Sequence, residues 1–266
     1  MLVSFIPTAL AADTDLSDGI TVDSVLDAPD IDIGDGECDD GSGNCTLRAA
    51  IQEANADSNA TTISFNISGS PDFTNGGQDG YTISPLTPLP AVTQLVTIDG
   101  YSQPGAQRNT AIAPNPLNGI LLIELDGSQV SPVSDALVFS SSIGGSKVTG
   151  LIIGGWGDGN GISVETDDLQ IQGNYIGTDS LGIAPRPNFR GISGWGEPGM
   201  SALIGGLQPE DRNLISGNGV EGTGDGSGGA IGMGYGHDFW VIQGNYIGTA
   251  ADGVSPLPNA TVGGSG

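Results

Sequence analysis

The chain has 266 residues, 46 of them glycine, and it carries 31 acidic side chains against 6 basic ones, a formal charge of −25. So few cations cannot form the positive surface that nucleic acids and anionic membranes attract. No apolar run reaches the ~18 residues of a membrane span. We therefore expect no nucleic-acid partner and no membrane insertion.

Residues 1–12 are apolar and end in small side chains. Ala9-Leu10-Ala11 has the small-x-small pattern that precedes a signal-peptidase cleavage site. The basic residues that usually begin such a peptide are missing, so we interpret residues 1–12 as a truncated signal peptide. The alternative is a disordered apolar terminus.

Residues 13–44 are rich in aspartate, and Asp30, Asp32 and Asp35 alternate with isoleucine and glycine. This composition resembles that of a calcium-binding loop, although it lacks the full ligand spacing of a recognised one. Calcium is thus the one cofactor that the sequence suggests, and a solvated acidic loop is the alternative.

The chain has two cysteines, Cys38 and Cys45, and a single histidine, His237. Two thiols without a neighbouring histidine do not make a zinc site. In an exported protein the simplest interpretation is a local disulfide between them.

Residues 46–56 have the one clear helical pattern, with Thr46 as a plausible N-cap. The apolar side chains fall on one stripe: Leu47, Ala50, Ile51 and Ala54. The polar side chains are expected on the solvent face: Arg48, Gln52 and Glu53. We predict that this helix covers the N-terminal end of the β-rich region and buries its stripe against the first strands.

Short β-rich runs separated by Gly, Asn, Asp and Pro account for most of the remaining sequence. The predicted strands are residues 20–22, 63–67, 96–98, 120–125, 137–139 and 148–153. No second helix is visible, so the fold class is all-β, as a sandwich, a barrel or a solenoid.

Internal repeats favour the solenoid. The eight residues 171–178 recur identically 71 positions later, at residues 242–249. A half-step lies between them, because Asn174, Asn213 and Asn245 each begin an Asn-x-Ile pattern, and the period is about 35 residues. Equivalent residues of stacked repeats form ladders. The three asparagines are predicted to bond to one another at a bend, and two buried aliphatic ladders are expected: Ile162, Ile192 and Ile231, and Ile176, Ile215 and Ile247.

Residues 38–55 resemble the CSLREA-type N-terminal domain of bacterial exported proteins through the sequence C-x6-CTLRAAIQEAN. Residues 61–66 and 97–105 and the Asn-Tyr-Ile-Gly-Thr repeats are similar to the segments C-terminal to that domain in the family. The resemblance implies a right-handed parallel β-helix, a pectate-lyase-like solenoid, in a secreted or cell-surface protein. It divides the chain into the signal peptide, a disulfide-bonded cap with a short helix over 13–60, and the β-helix over 61–266, truncated at its C-terminal end.

Polysaccharide cleavage is one interpretation of such a fold. Hydrolysis needs two carboxylates ~5–9.5 Å apart, and the adjacent pairs in predicted turns are Asp167-Asp168, Glu210-Asp211 and His237-Asp238. The candidate bases for a lyase are Lys147, Arg186, Arg190 and Arg212. No pair stands out, and the negative charge opposes binding of an acidic polysaccharide unless calcium bridges it.

Aromatic loops favour a binding role instead. Trp195 and Tyr235 occupy matching places in successive repeats, each between glycines, where flat rings suit stacking on neutral sugars. Packing against the protein itself is the alternative. The sequence predicts an exported, non-catalytic module for adhesion or glycan binding, with neutral glycans or other cell-surface components as its partners. A polysaccharide lyase or glycoside hydrolase and a purely structural spacer remain the alternatives.

Overall fold

The computed structural model describes residues 19–194, 200–219, 228–234 and 239–259. Within these ranges the chain forms one α-helix, α1 (Leu47–Ala56), three single-turn 3-10 helices and eighteen short strands. The strands are β1 (Ile20–Val22), β2 (Thr61–Phe65), β3 (Phe73–Asn75), β4 (Gln78–Ile83), β5 (Val96–Asp99), β6 (Ile123–Asp126), β7 (Leu137–Phe139), β8 (Lys147–Thr149), β9 (Leu151–Gly154), β10 (Ile162–Val164), β11 (Leu169–Gln172), β12 (Tyr175–Ile176), β13 (Arg190–Gly194), β14 (Ser201–Gly205), β15 (Leu214–Ile215), β16 (Gly229–Met233), β17 (Phe239–Gln243) and β18 (Tyr246–Ile247). No helix in the described ranges is long and apolar enough to cross a membrane.

The strands form three sheets. The first has the order β1-β2-β5-β8-β11-β14-β17, the second β7-β10-β13-β16 and the third β3-β4-β6-β9-β12-β15-β18. Adjacent strands are parallel in every pair except β3 and β4, which form an antiparallel hairpin. From β8 onward the chain visits the first, third and second sheets in a repeating cycle. Each strand inside a run of parallel strands therefore pairs with one strand from an earlier turn of the chain and one from a later turn.

The predicted strand over residues 148–153 is two strands. Gly150 has φ +74°, a left-handed conformation that favours glycine, and it separates β8 in the first sheet from β9 in the third. The predicted strand over 120–125 begins only at Ile123, and that over 63–67 lies at Thr61–Phe65. The hairpin of β3 and β4 was not predicted, because the residues around its Gly76-Gly77 turn are mostly polar and lack an alternating apolar pattern.

Aliphatic side chains from the three sheets pack into one continuous core. The predicted ladders have the expected register, since Ile162 pairs with Ile192 and Ile192 with Ile231. The other ladder likewise joins Ile176 to Ile215 and Ile215 to Ile247. Burial of the last member of each ladder was predicted wrongly. Ile247 is 44% exposed and Ile231 half-buried, because β18 and β16 are the final strands of their sheets in the described chain.

Helix α1 packs its apolar stripe against β1 and β2, as predicted. The N-cap is Thr46, whose hydroxyl oxygen accepts a hydrogen bond from the backbone N–H of Ala49 at 3.0 Å. Arg48, which was expected on the solvent face, is only 11% exposed, because it forms a bidentate ion pair with Asp27, with an Nη2–Oδ1 distance of 2.8 Å. The helix is thus fixed to the segment that precedes it as well as to the sheet.

The expected exposure of Glu53 is wrong, because this side chain is 1% exposed. Its two carboxylate oxygens accept hydrogen bonds from the backbone N–H groups of Gly34, at 2.7 Å, and Gly36, at 2.6 Å. A buried carboxylate is stable only when such donors replace water. Glu53 therefore binds the acidic loop to the helix.

The predicted disulfide is confirmed. Cys38 and Cys45 are bonded, with a Cα–Cα distance of 5.1 Å. The bridge closes the loop immediately before α1 and lies beside the Glu53-bound segment.

Candidate functional site

A polar cleft of about 450 Å³ lies beside β4 and β6 of the third sheet. Strand alternation builds its floor, since Ile83 and Leu125 point into the core while Thr82, Glu124 and Asp126 point away from it. The full lining is Asp72, Phe73, Thr82, Ser84, Glu124, Asp126, Asp179, Ser180 and Arg186.

Glu124 is the most deeply placed carboxylate of the cleft, at 7% exposure. Its Oε2 accepts a hydrogen bond from the hydroxyl of Thr82 at 3.2 Å, and its Oε1 lies 3.4 Å from Nη2 of Arg186. Burial raises the pKa of Glu124 above its ordinary value, although Arg186 and Thr82 oppose that shift. A carboxylate with a raised pKa in a cleft is a common feature of functional sites.

Arg186 connects the two carboxylates of β6. The same Nη2 that contacts Glu124 lies 3.0 Å from Oδ1 of Asp126. Asp126 also accepts hydrogen bonds from the backbone N–H of Ser128, at 3.1 Å, and from its hydroxyl, at 2.9 Å. One guanidinium nitrogen therefore lies between the carboxylates, where the bridging oxygen of a glycoside would have to enter for hydrolysis.

A loop over residues 178–187 supplies Asp179, Ser180 and Arg186. An isolated antiparallel bridge between Thr178 and Pro185 closes the loop. Within it, Oδ1 of Asp179 accepts hydrogen bonds from the backbone N–H groups of Ile183, at 2.8 Å, and Ala184, at 3.1 Å. Asp179 thus both braces the loop and faces the cleft.

The β3–β4 hairpin and the residue before it add Phe73 and Asp72 to the lining. Oδ2 of Asp72 accepts a hydrogen bond from the backbone N–H of Thr82 at 2.9 Å. The side-chain amide of Asn75 donates to the carbonyl of Ser180 at 3.0 Å and so ties the hairpin to the loop. Three segments that are distant in the sequence therefore enclose one polar space with an aromatic wall.

A pH titration tests the environment of Glu124. Because the pKa of Glu124 is raised in the folded protein, protonated Glu124 stabilises the fold. This contribution to the free energy of unfolding is complete below the ordinary pKa of 4.5 and is lost as pH rises through the folded-state pKa. Glu124→Gln is expected to remove this component, so its melting temperature should fall less than that of the wild type between acidic and neutral pH. Calorimetric melting across that range is the measurement. Glu165→Gln, at an exposed position, is the control. Parallel profiles for Glu124→Gln and the wild type would contradict the assignment.

The proposed calcium ligands do not converge. Asp30 Oδ1 accepts a hydrogen bond from the backbone N–H of Asp32 at 2.9 Å, and Asp35 Oδ1 accepts one from Glu37 at 2.8 Å. These carboxylates act as turn-forming acceptors. In the part of the chain that the structure describes, no three His, Cys, Asp or Glu side chains form a group that could hold a metal ion.

The asparagine ladder is confirmed. Oδ1 of Asn213 accepts hydrogen bonds from the backbone N–H of Asn174, at 2.9 Å, and from its side-chain amide, at 3.2 Å. The side-chain amide of Asn213 donates in turn to Oδ1 of Asn245 at 2.9 Å. A second ladder of the same kind, which was not predicted, joins Asn188, Asn218 and Asn259.

Several other predicted residues have structural contacts or lie outside the described residues. The latter are Trp195 and Tyr235, the predicted glycan-stacking residues, and the pair His237-Asp238. The remaining basic and acidic candidates are separate from the cleft lining: Lys147, Arg190, Arg212, Asp167, Asp168, Glu210 and Asp211. Arg212, for example, donates to the backbone carbonyls of Gly244 and Ala111, at 2.7 and 3.0 Å. Of the candidate bases, only Arg186 lines the cleft.

Comparison of two repeats shows one sequence difference that indicates the cleft. Residues 178–187 and 249–258 are equivalent loops, with matching bridges at Thr178–Pro185 and Thr249–Pro256. Three positions that face the cleft in the first loop are apolar in the second, with Asp179, Ser180 and Arg186 replaced by Ala250, Ala251 and Leu257.

Comparisons of this chain with family models, with curated proteins and with solved structures found no match.

Proposed function

We propose that the chain is an exported, right-handed parallel β-helix that binds neutral glycans at this cleft without cleaving them. The architecture is supported by the repeating visit of the chain to three parallel sheets, in which equivalent residues of successive repeats stack in register. Export is supported by the disulfide, since such bonds persist mainly outside the cytosol.

The comparison of the two equivalent loops carries the functional proposal. Both loops keep the same closing bridge, and the backbone N–H of Arg186 donates to Gly177 just as that of Leu257 donates to Gly248. The loop fold therefore does not require a guanidinium at that position. A charged side chain that the fold does not need, placed in a cleft, indicates a role in recognition.

The chemistry of the cleft suits sugar hydroxyl groups. Carboxylates accept hydrogen bonds from hydroxyls, a guanidinium donates to them, and the ring of Phe73 offers an apolar wall for the C–H face of a sugar. The position of Arg186 favours binding over hydrolysis, because its guanidinium already occupies the space beside both carboxylates, at 3.4 Å from Glu124 and 3.0 Å from Asp126.

Exchanging loop side chains tests the proposal. Two variants give the first loop, residues 178–187, side chains of the second, residues 249–258. One is Arg186→Leu, and the other combines Asp179→Ala with Leu181→Asp. In the second loop Asp252 braces the backbone by accepting from Val254 at 2.8 Å, so the double variant retains a bracing carboxylate. We expect the melting temperature of the double variant to stay within about 2 °C of the wild type. Arg186→Leu should melt lower, because it leaves Glu124, at 7% exposure, without its ion-pair partner. Affinity for neutral oligosaccharides should fall about tenfold or more.

An array of neutral oligosaccharides, followed by calorimetry with the best ligand, is the measurement. Leu257→Arg, which adds a guanidinium to the half-exposed position of the second loop, is the matched control and should leave binding unchanged. Absence of any saccharide ligand, or equal binding by Arg186→Leu and the wild type, would favour a structural spacer.

A further inference from the structure

We infer that the preferred ligand of the cleft is a saccharide that carries amino groups, as in an oligomer of glucosamine. This inference rests on the proposed glycan binding and changes the preferred ligand from a neutral saccharide to a cationic one. The site itself is defined by the cavity and by the loop comparison, and the ligand class is derived from the distribution of charge and apolar surface around the cavity.

Negative charge exceeds positive charge within the cleft. Four carboxylates line it, those of Asp72, Glu124, Asp126 and Asp179, against the single guanidinium of Arg186. Arg186 is already paired with the two carboxylates of β6, at 3.4 and 3.0 Å. Even with Glu124 protonated, the lining is therefore negative overall.

The two remaining carboxylates come from different segments that line the same cleft. Asp72 immediately precedes β3 and Asp179 belongs to the loop, and no ion pair joins either of them to a cation within the described residues. Both use one oxygen to brace backbone N–H groups, Oδ2 in Asp72 and Oδ1 in Asp179. An ammonium group that enters the cleft beside Asp72 and Asp179 would gain carboxylate partners without displacing Arg186.

The electrostatic field of the whole protein also favours a cationic ligand. The chain has a formal charge of −25, and a cleft lined by one sign of charge concentrates that field and attracts the opposite charge. Phe73 adds an aromatic surface that attracts an ammonium as well as the C–H face of a sugar ring. The volume of about 450 Å³ lies within the ~300–1,000 Å³ range of small-ligand pockets.

Two trimers of equal length distinguish recognition of the amino group from recognition of the sugar ring. The glucosamine trimer is cationic near pH 6, whereas the N-acetylglucosamine trimer is neutral. By calorimetry at low salt, we expect the glucosamine trimer to bind about tenfold or more tightly, with the advantage shrinking as salt screens the charges. Spermidine, an amine without a sugar, should bind more weakly than the glucosamine trimer because it cannot use the hydroxyl-binding groups.

A substitution that removes one negative charge from the cleft tests the amine preference a second time. Asp72→Asn keeps an oxygen for the N–H of Thr82 but removes a charge from the wall. It should lower affinity for the glucosamine trimer about three- to tenfold and change affinity for the N-acetylglucosamine trimer less than twofold. Asp252→Asn, which removes a charge from the second loop instead, is the control and should alter neither affinity.

The outcomes distinguish failure of the amine preference from failure of glycan binding itself. Equal affinity for both trimers, or preference for the neutral one, overturns the amine inference and leaves glycan binding in place. Spermidine binding as tightly as the glucosamine trimer also overturns it, since the saccharide would then be unnecessary. Binding of no saccharide overturns the proposed function together with the inference.

Discussion

Asn213→Ala is expected to lower the free energy of unfolding by about 3–5 kcal/mol. The side chain is fully buried and bonds in both directions along the ladder, to Asn174 on one side and Asn245 on the other. Its amide also donates to the carbonyl of Ile171 at 2.7 Å. Truncation leaves several buried polar groups without partners, and each costs about 1–3 kcal/mol.

Chemical denaturation followed by circular dichroism measures this loss. Asn245→Ala is the graded comparison, because Asn245 is only half-buried and water can replace part of what it provides. Its cost should be about half as large. Asn59→Ala, at an exposed position, should stay within about 0.5 kcal/mol of the wild type. A similar small effect at all three positions would show that the ladder contributes little to stability.

Glu53→Gln is expected to cost about 2–4 kcal/mol, although it removes a negative charge from a strongly acidic protein. The two oxygens of the carboxylate accept from Gly34 and Gly36, whereas glutamine offers one oxygen and directs an NH2 group at the second donor. The loop should detach from α1 as a result.

Urea denaturation with hydrogen exchange at residues 34–36 is the measurement. Glu37→Gln makes the same charge change on an exposed residue of the same loop, and it should be neutral or slightly stabilising. Equal stability of the two variants would mean that charge relief, rather than the loss of the two acceptors, governs this segment.

Features with a short or regular spacing could be predicted from the sequence. The helix is predicted by its apolar stripe, and the pairing of Ile162 with Ile192 and of Asn174 with Asn213 by the repeat period. Exposure of Ile247 could not be predicted in this way, because burial depends on whether another strand lies next to its own.

The cleft could not be predicted from local patterns. It combines side chains from near residues 72, 124 and 186, which meet only because the chain returns repeatedly to the third sheet. Glu53 is a similar case, since its partners lie in a loop about twenty positions earlier. The replacement of Arg186 by Leu257 in the second loop was the one signal of the cleft in the sequence.

The serial pairing of the strands has a consequence for cooperativity. Each strand contacts mainly its two neighbours in the sheet, so separation of β16, β17 and β18 would expose only the next strand in each sheet. Such a structure melts progressively from its least protected side instead of in a single step. Amide hydrogens of β1 and β2, which lie under α1, should therefore exchange more slowly than those of β17, even though all three belong to one sheet.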